Sequence, residues 1–368
     1  MKKLNGCLMV ILLFLVACAP NNNEDEVVQE EDSGEETSIV PSAKLEEENY
    51  RMILPYKTSA ARGVINRQVA NRVDIDEFEQ GLRRHSKEVY DPDRYFFQEG
   101  QYITESMTYE WIDDLNPKVE EGAGEEFHRD NPRYLSHILE QNYLVQGEDN
   151  AVNLAGISIG LAMKSVYRFQ EESGGPDYYE DISEEEMMKK ADEIAQDVLE
   201  RIRQIEGLEN VPVMFAIYRE AEQNSPVPGS FVATTNVSGD SSSIGSWQDL
   251  NEEYILFPSS EGREKYYEDQ ELVTSFGNEI AEFFPNYVGI VGEGFYVNEE
   301  LQKLTIEIPL DFYGKAEVIG FSQYIYGLVQ EMFPDYYDLE IKVESSTKME
   351  SLIYRESGEE EPTVHIFH

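Results

Sequence analysis

The chain has 368 residues, with 74 Asp or Glu against 29 Lys or Arg, so its formal net charge is −45. Phosphate neutralisation needs clustered Lys and Arg, and this charge therefore argues against nucleic acid as a partner and against an electrostatic grip on anionic lipid. Both cysteines, Cys7 and Cys18, lie in the first 18 residues, so the remainder has no thiol for a nucleophile, a disulfide or a zinc site.

The N-terminus has the pattern of a lipoprotein signal peptide. Lys2 and Lys3 precede an apolar run over residues 8–16, which is shorter than the roughly 20 residues that a bilayer-spanning helix needs. The run ends in Leu-Val-Ala followed by Cys18, where small side chains precede the cysteine. We expect signal cleavage between Ala17 and Cys18, with Cys18 carrying diacylglycerol.

This prediction implies two partners and a location. Lipoprotein diacylglyceryl transferase and signal peptidase II would act during maturation, and the covalent lipid would hold the chain on the outer face of the cytoplasmic membrane, outside the cell. Residues 18–49 are polar and acidic without a sustained hydrophobic period, which predicts a disordered tether reaching roughly 30 Å.

Folded sequence is predicted from residue 50, with an N-terminal region at 50–175. Asp76 is the predicted N-cap of a helix that presents Phe78, Leu82 and Val89 on one face. Around it lies a polar cluster among aromatic residues, and its members are Tyr56, Arg62, Asn71, Arg72, Glu99 and Gln101. Two interpretations stay open: the arginines pair with local carboxylates, or the cluster lines a concave site for a peptide or a cell-wall glycan.

A second helix is predicted over residues 132–142, and residues 156–160 then match the G-x-S-x-G pattern of hydrolases around Ser158. That motif needs a buried strand before the serine, whereas residues 147–153 are polar. We therefore interpret Gly156 and Gly160 as positions of close packing and expect no catalytic residue. The hydrolase alternative would combine Ser158 with Asp335 or Asp338 and with His365. The five histidines show no zinc spacing, so neither a metal nor another cofactor is expected.

The polar run at residues 171–181 is the predicted boundary of a C-terminal domain at 176–368. Ser183 and Glu186 form a capping box for a helix that Gly207 ends. The pattern predicts three helix–strand–strand units: the helix from Ser183 with strands 211–218 and 229–237, helix 266–284 with strands 287–297 and 301–310, and helix 315–332 with strands near 339–343 and 349–354. This succession indicates an α+β fold, with helices packed on one face of a mostly antiparallel sheet.

Several separated stretches have a familiar sequence: YKTSAARG at 56–63, Asn71-Arg72, FEQGL at 78–82, HSK at 85–87, YFFQEGQ at 95–101 and GISIGLA at 156–162. Together they resemble the CamS family, the sex pheromone biosynthesis lipoproteins of low-GC Gram-positive bacteria. The resemblance implies a cell-surface lipoprotein whose mature domain has no established activity. It also implies that the signal peptide can release a short apolar pheromone ending before the lipobox cysteine, here Ile11–Ala17 (ILLFLVA). The alternative, that this segment is only degraded, stays open.

Overall fold

The computed structural model describes residues 24–31, 34–41, 49–61, 64, 72–119, 122–147, 151–172 and 174–368. Over these ranges the strands form sheets of seven and six strands and two two-stranded pairs, and helices pack against both large sheets. Most strand pairs are antiparallel. The predicted α+β class is confirmed. In the same described ranges, no helix combines the length and apolarity needed to cross a bilayer.

The first two strands form a hairpin in the segment predicted as a tether. Strands β1 (Glu24–Glu31) and β2 (Gly34–Pro41) are antiparallel. Ile39 and Leu54 exchange backbone hydrogen bonds of 2.7 and 2.8 Å, and Val40 is fully buried. The structure therefore differs from the tether prediction over these residues, because Ile39 and Val40, two apolar residues in the acidic sequence, hold the hairpin against the folded part.

The seven-stranded sheet has the order β11-β10-β9-β6-β5-β4-β3. Its strands are β3 (Arg51–Met52), β4 (Phe96–Glu99), β5 (Leu135–Gln146), β6 (Val152–Met163), β9 (Val213–Arg219), β10 (Ser230–Val237) and β11 (Gln248–Asp249). β6 and β9 pair in parallel, and a crossover helix, α4 (Glu184–Ile202), lies between them in sequence. Because this sheet uses strands from both sides of residue 175, the chain divides between its two large sheets near residue 250 rather than at the predicted boundary.

The glycine-rich run at residues 171–181 has a different role from a domain linker. It contains the turn of a short hairpin, formed by β7 (Val166–Phe169) and β8 (Tyr178–Asp181). The inner face of this hairpin packs into the core through Tyr167 and Phe169, which are 5 % exposed each.

The helix predicted over residues 132–142 is wrong, because residues 135–142 belong to β5. Nearly every residue of β5 is buried, so its two faces do not alternate between apolar and polar side chains. Ile138 packs in the cluster on one face of the sheet, and Leu139 packs in the cluster on the other. Apolar residues at both faces produced a spacing that resembles a helical one.

Helices cover both faces of the seven-stranded sheet. Helix α1 (Arg72–Ser86) lies on one face, where Phe78 and Leu82 are fully buried. Helices α2 (Glu105–Asp114) and α4 lie on the other, and a short helix, α3 (Glu125–Asp130), follows α2. Helix α1 begins before Asp76, so the predicted N-cap at Asp76 is wrong. The N-cap predicted at Ser183 is confirmed, because its hydroxyl accepts the Glu186 N–H at 3.3 Å, whereas the Glu186 carboxylate accepts the Tyr134 hydroxyl at 2.6 Å.

The six-stranded sheet has the order β12-β13-β14-β15-β16-β17. Its strands are β12 (Glu252–Phe257), β13 (Val291–Val297), β14 (Glu300–Pro309), β15 (Asp338–Glu344), β16 (Met349–Arg355) and β17 (Thr363–Ile366). Helices α5 (Ser260–Lys265), α6 (Tyr267–Phe283) and α7 (Lys315–Met332) accompany it, and the core forms where α6 and α7 pack on the sheet. All three predicted helix–strand–strand units are present, the first in the seven-stranded sheet and the other two here.

Candidate functional site

The predicted polar cluster is only partly within the described residues. Arg62 and Asn71 lie outside them. Arg72 is exposed on the first turn of α1, and its Nη2 lies 2.9 Å from Asp76 Oδ1. This arginine therefore pairs with a carboxylate on its own helix, as the first of the two interpretations expects.

Tyr56, Glu99 and Gln101 come together at the end of β4. The Tyr56 hydroxyl donates to the Glu99 carboxylate, and the Ser59 N–H donates to the same carboxylate at 2.5 Å. Gln101 Nε2 donates to the Thr58 carbonyl at 3.1 Å. These bonds hold the loop after β3 against β4, so the predicted residues make internal contacts that stabilise the loop.

A small cavity lies beneath this loop, with a volume of about 80 Å³. Glu140 lines it and accepts N–H groups from Gln101, Tyr102 and Ile103 at 2.6–3.2 Å. His137 also lines it, and burial lowers the pKa of His137 to about 3, so the ring is neutral at pH 7. Ligand pockets usually enclose about 300–1,000 Å³, and this cavity is therefore too small for a peptide or a glycan.

Ser158 lies in the middle of β6, fully buried, with its Oγ 2.8 Å from the Ser86 hydroxyl. A nucleophile elbow would place it at a strand-to-helix turn. Asp338 and His365 belong to β15 and β17 of the other large sheet. The arrangement that the hydrolase alternative requires is not formed around Ser158.

The two glycines of that motif face aromatic rings. A Cβ atom at Gly156 would lie 2.2 Å from Tyr90, and one at Gly160 would lie 2.7 Å from Phe78. Side chains therefore approach the strand where these glycines leave room, and the close-packing interpretation is confirmed.

A larger groove, of about 750 Å³, opens at the carboxyl ends of the parallel strands β6 and β9. Lys164 is the first residue after β6, and Glu220 is the first residue after β9. The Glu220 N–H donates to the Met163 carbonyl at 2.8 Å, which fixes the two strand ends side by side. Both side chains line the groove.

One wall of the groove is the outer face of the β7–β8 hairpin. Val166 and Arg168 on β7 face it opposite their cross-strand partners Asp181 and Tyr179 on β8. The opposite wall is the loop after β9, which includes Glu222. Because strand residues alternate between faces, the hairpin presents polar side chains to the groove while its apolar face stays in the core.

The floor of the groove carries two ionisable groups with altered pKa values. Glu220 is 4 % exposed, and burial raises its pKa to about 7 although the Ser136 hydroxyl donates to it and Lys164 lies nearby. Burial lowers the pKa of Lys164, while the charge of Glu220 opposes this shift. Perturbed ionisable groups in a concave site mark a candidate functional site.

Sequence reasoning missed this pair because no short motif contains both residues. The signal that could have identified them is a strand–helix–strand succession through β6, α4 and β9, which places the ends of two parallel strands at one edge. Within the described ranges, no group of three or more His, Cys, Asp or Glu side chains is arranged to hold a metal ion.

Comparison with known proteins gives the family of the chain. The model of the family described as CamS sex pheromone cAM373 precursor matches residues 56–361. A sex pheromone precursor from Lactobacillus salivarius subsp. salivarius UCC118 is 30% identical, with a TM-score of 0.80 over 89% of this chain and 98% of that chain.

A second solved structure agrees with the first. The C-terminal domain of the sex pheromone staph-cAM373 precursor from Staphylococcus aureus is 28% identical, with a TM-score of 0.72 over 82% of this chain and 99% of that chain. No curated protein matches the sequence. Since the family match covers most of the chain, the protein belongs to the CamS family of sex pheromone cAM373 precursors.

Proposed function

We propose that this protein is an exported lipoprotein, held on the outer face of the cytoplasmic membrane through Cys18, and that its signal peptide is the source of a pheromone-like peptide. The observation that carries the proposal is the order of a short apolar run, Leu15-Val16-Ala17 and Cys18 near the N-terminus. The family match over residues 56–361, downstream of this segment, supports the proposal, because the matched family and the similar solved structure are sex pheromone precursors.

The anchor in this proposal is purely hydrophobic. A thioether-linked diacylglycerol supplies two acyl chains, and each buried CH₂ contributes about 0.8 kcal/mol to membrane binding. A net charge of −45 repels anionic headgroups, so the acyl chains alone hold the protein. Maturation requires lipoprotein diacylglyceryl transferase and signal peptidase II as transient partners.

The folded part acts without catalysis in this proposal. Support comes from the setting of Ser158, which is buried in the middle of a strand and contacts another serine. The folded domain is instead the surface-exposed portion that remains after the peptide has been released, and it receives a ligand from outside the cell.

Anchoring is tested with Cys18→Ser and the matched control Cys7→Ser, which changes the other cysteine of the chain. Cells are labelled with an alkyne fatty acid, fractionated and probed for the protein. The unchanged chain and Cys7→Ser should be labelled and membrane-bound, whereas Cys18→Ser should be unlabelled and uncleaved. A labelled, correctly matured Cys18→Ser protein would refute the proposal.

The peptide is tested separately from the anchor. Mass spectrometry of the culture medium should detect ILLFLVA, the segment Ile11–Ala17. Synthetic ILLFLVA should induce aggregation or mating of responder cells, whereas a peptide of the same composition in scrambled order should not. Absence of the peptide from the medium, or equal responses to both peptides, would reject the pheromone role and leave the lipoprotein assignment intact.

A further inference from the structure

We propose that the groove at the ends of β6 and β9 binds the zwitterionic head of an α-amino acid, with the carboxylate on Lys164 and the ammonium on Glu220 and Asp181. The position of the groove is the first argument. Ligands of open α/β sheets bind outside the carboxyl ends of parallel strands, and Lys164 and Glu220 are the residues that follow two such ends.

The charges of the groove are the second argument. Arg168 Nη2 lies 2.9 Å from Asp177 Oδ2, so this pair is already neutralised. The charged groups that remain for a ligand are then the amine of Lys164 and the carboxyl groups of Asp181 and Glu220. A purely anionic ligand would meet a surplus of carboxylates, and a purely cationic one would leave the lysine uncompensated. A ligand that carries one negative and one positive charge compensates both the lysine and the carboxylates.

The state of Lys164 is the third argument. No carboxylate oxygen among the described residues lies within 4.0 Å of its amine, although the side chain is largely withdrawn from water. Withdrawing a charged amine from water without an ion pair costs free energy, and a ligand carboxylate would supply the opposite charge that Lys164 lacks. Glu220 is held in place by the Ser136 hydroxyl, so the floor of the site is positioned before the ligand arrives.

The ligand's side chain would lie toward the mouth of the groove. Tyr179 is 54 % exposed there, and the amides of Gln170, Gln223 and Asn224 also line the walls. A volume of about 750 Å³ exceeds what an amino-acid head fills, so a side chain is accommodated. Amide-bearing walls favour a polar side chain that exchanges hydrogen bonds with them, and L-glutamine is the matching probe.

The experiment is calorimetric titration of the full chain with L-glutamine, N-acetyl-L-glutamine and L-glutamine amide. We expect saturable binding of L-glutamine and affinities at least about tenfold weaker for each capped form, because each cap removes one charged contact. Equal affinities for the free and capped forms, or no heat with L-glutamine at millimolar concentration, would overturn the proposal. This comparison needs no variant protein.

Two variants then assign the charges. Lys164→Met should bind L-glutamine and its amide equally weakly, and Glu220→Gln should distinguish L-glutamine from its N-acetyl form less strongly than the unchanged chain does, because Asp181 still contacts the ammonium. Lys190→Met is the matched control, since Lys190 pairs with Glu193 on the exposed face of α4. It should bind as the unchanged chain does. Near-UV circular dichroism verifies folding, and a folded Lys164→Met protein that still prefers the free carboxylate would overturn the assignment.

Discussion

Two buried carboxylates of this protein, on Glu140 and Glu220, differ in the donors that surround them. Glu140 accepts N–H groups from three successive backbone positions, which stabilise its charged form although burial raises its pKa. Glu220 accepts a single side-chain hydroxyl, from Ser136, and its pKa rises to about 7. A carboxyl group with so few donors changes its charge near neutral pH, and the charge of the groove changes with it.

This difference predicts a pH dependence of stability. The pKa of Glu220 is about 7 when folded against an ordinary value of 4.5, so the folded state binds more protons between these values. The stabilisation is complete below pH 4.5 and is lost as pH rises through 7. Relative to Glu220→Gln, the unchanged chain should lose about 3 kcal/mol of unfolding free energy across this window.

The measurement is urea unfolding at a series of pH values from 4.5 to 8. Glu206→Gln, at an exposed position after α4, is the control and should keep the slope of the unchanged chain. Parallel pH profiles for the unchanged chain and Glu220→Gln would contradict the prediction.

The candidate site shows which residue neighbours a sequence can reveal. Tyr56, Glu99 and Gln101 were predicted to cluster because they surround short stretches with shared aromatic and polar character, and they do meet. Lys164 and Glu220 could not be paired in this way. Their proximity depends on the parallel register of β6 and β9, and no local pattern encodes that register.

At the scale of elements, the packing of β6 depends on glycines that leave room for aromatic rings. Gly156→Ala should destabilise the protein by about 2–3 kcal/mol, because its Cβ would lie 2.2 Å from the Tyr90 ring. Tyr90 is 3 % exposed, and its hydroxyl donates to the Ile157 carbonyl at 3.0 Å, so the ring cannot move aside easily.

The matched control, Gly320→Ala, is expected to change the stability in the opposite direction. Gly320 is exposed within α7, and a Cβ there would meet no atom within 4 Å. Gly320→Ala should therefore stabilise the protein by about 0.5–1 kcal/mol, because alanine loses less backbone entropy in a helix. Thermal unfolding of both variants compares them, and an unchanged melting temperature for Gly156→Ala would refute the packing argument.

The prediction succeeded for helices α6 and α7 and failed for strand β5, and burial explains the difference. Helices α6 and α7 bury one face only, so their apolar residues recur at helical spacing, and α7 has the predicted bounds, Lys315–Met332. Strand β5 is buried on both faces and contains buried polar residues such as His137 and Asn142. Apolar and polar residues do not alternate along β5, so the sequence signal of a strand is missing, and a helix was predicted in its place.

At the scale of the whole molecule, the two large sheets are joined by a compact ion cluster. Arg84 at the end of α1 lies 2.7 Å from Glu77 and 3.0 Å from Glu252, the first residue of β12. Its guanidinium also stacks on the Phe295 ring of β13 at 4.6 Å. Burial alone would raise the pKa of Glu252, but His85 and Arg84 outweigh it and lower that pKa. The cluster therefore couples α1 on one sheet to two strands of the other.

Breaking this cluster should separate the unfolding of the two sheets. Arg84→Met leaves Glu77 and Glu252 without their shared cation, and we expect a loss of about 3 kcal/mol. Of the two tryptophans, Trp111 lies in the core beside the seven-stranded sheet and the partly buried Trp247 packs against that core, so their fluorescence reports on that sheet alone. Far-UV circular dichroism reports on both.

The two signals should coincide during urea unfolding of the unchanged chain and diverge for Arg84→Met. Arg72→Met removes an exposed arginine from the same helix, where the pair with Asp76 contributes about 0.5 kcal/mol or less. Its two unfolding curves should therefore still coincide. Coincident curves for Arg84→Met would show that other contacts between the sheets are sufficient to couple them.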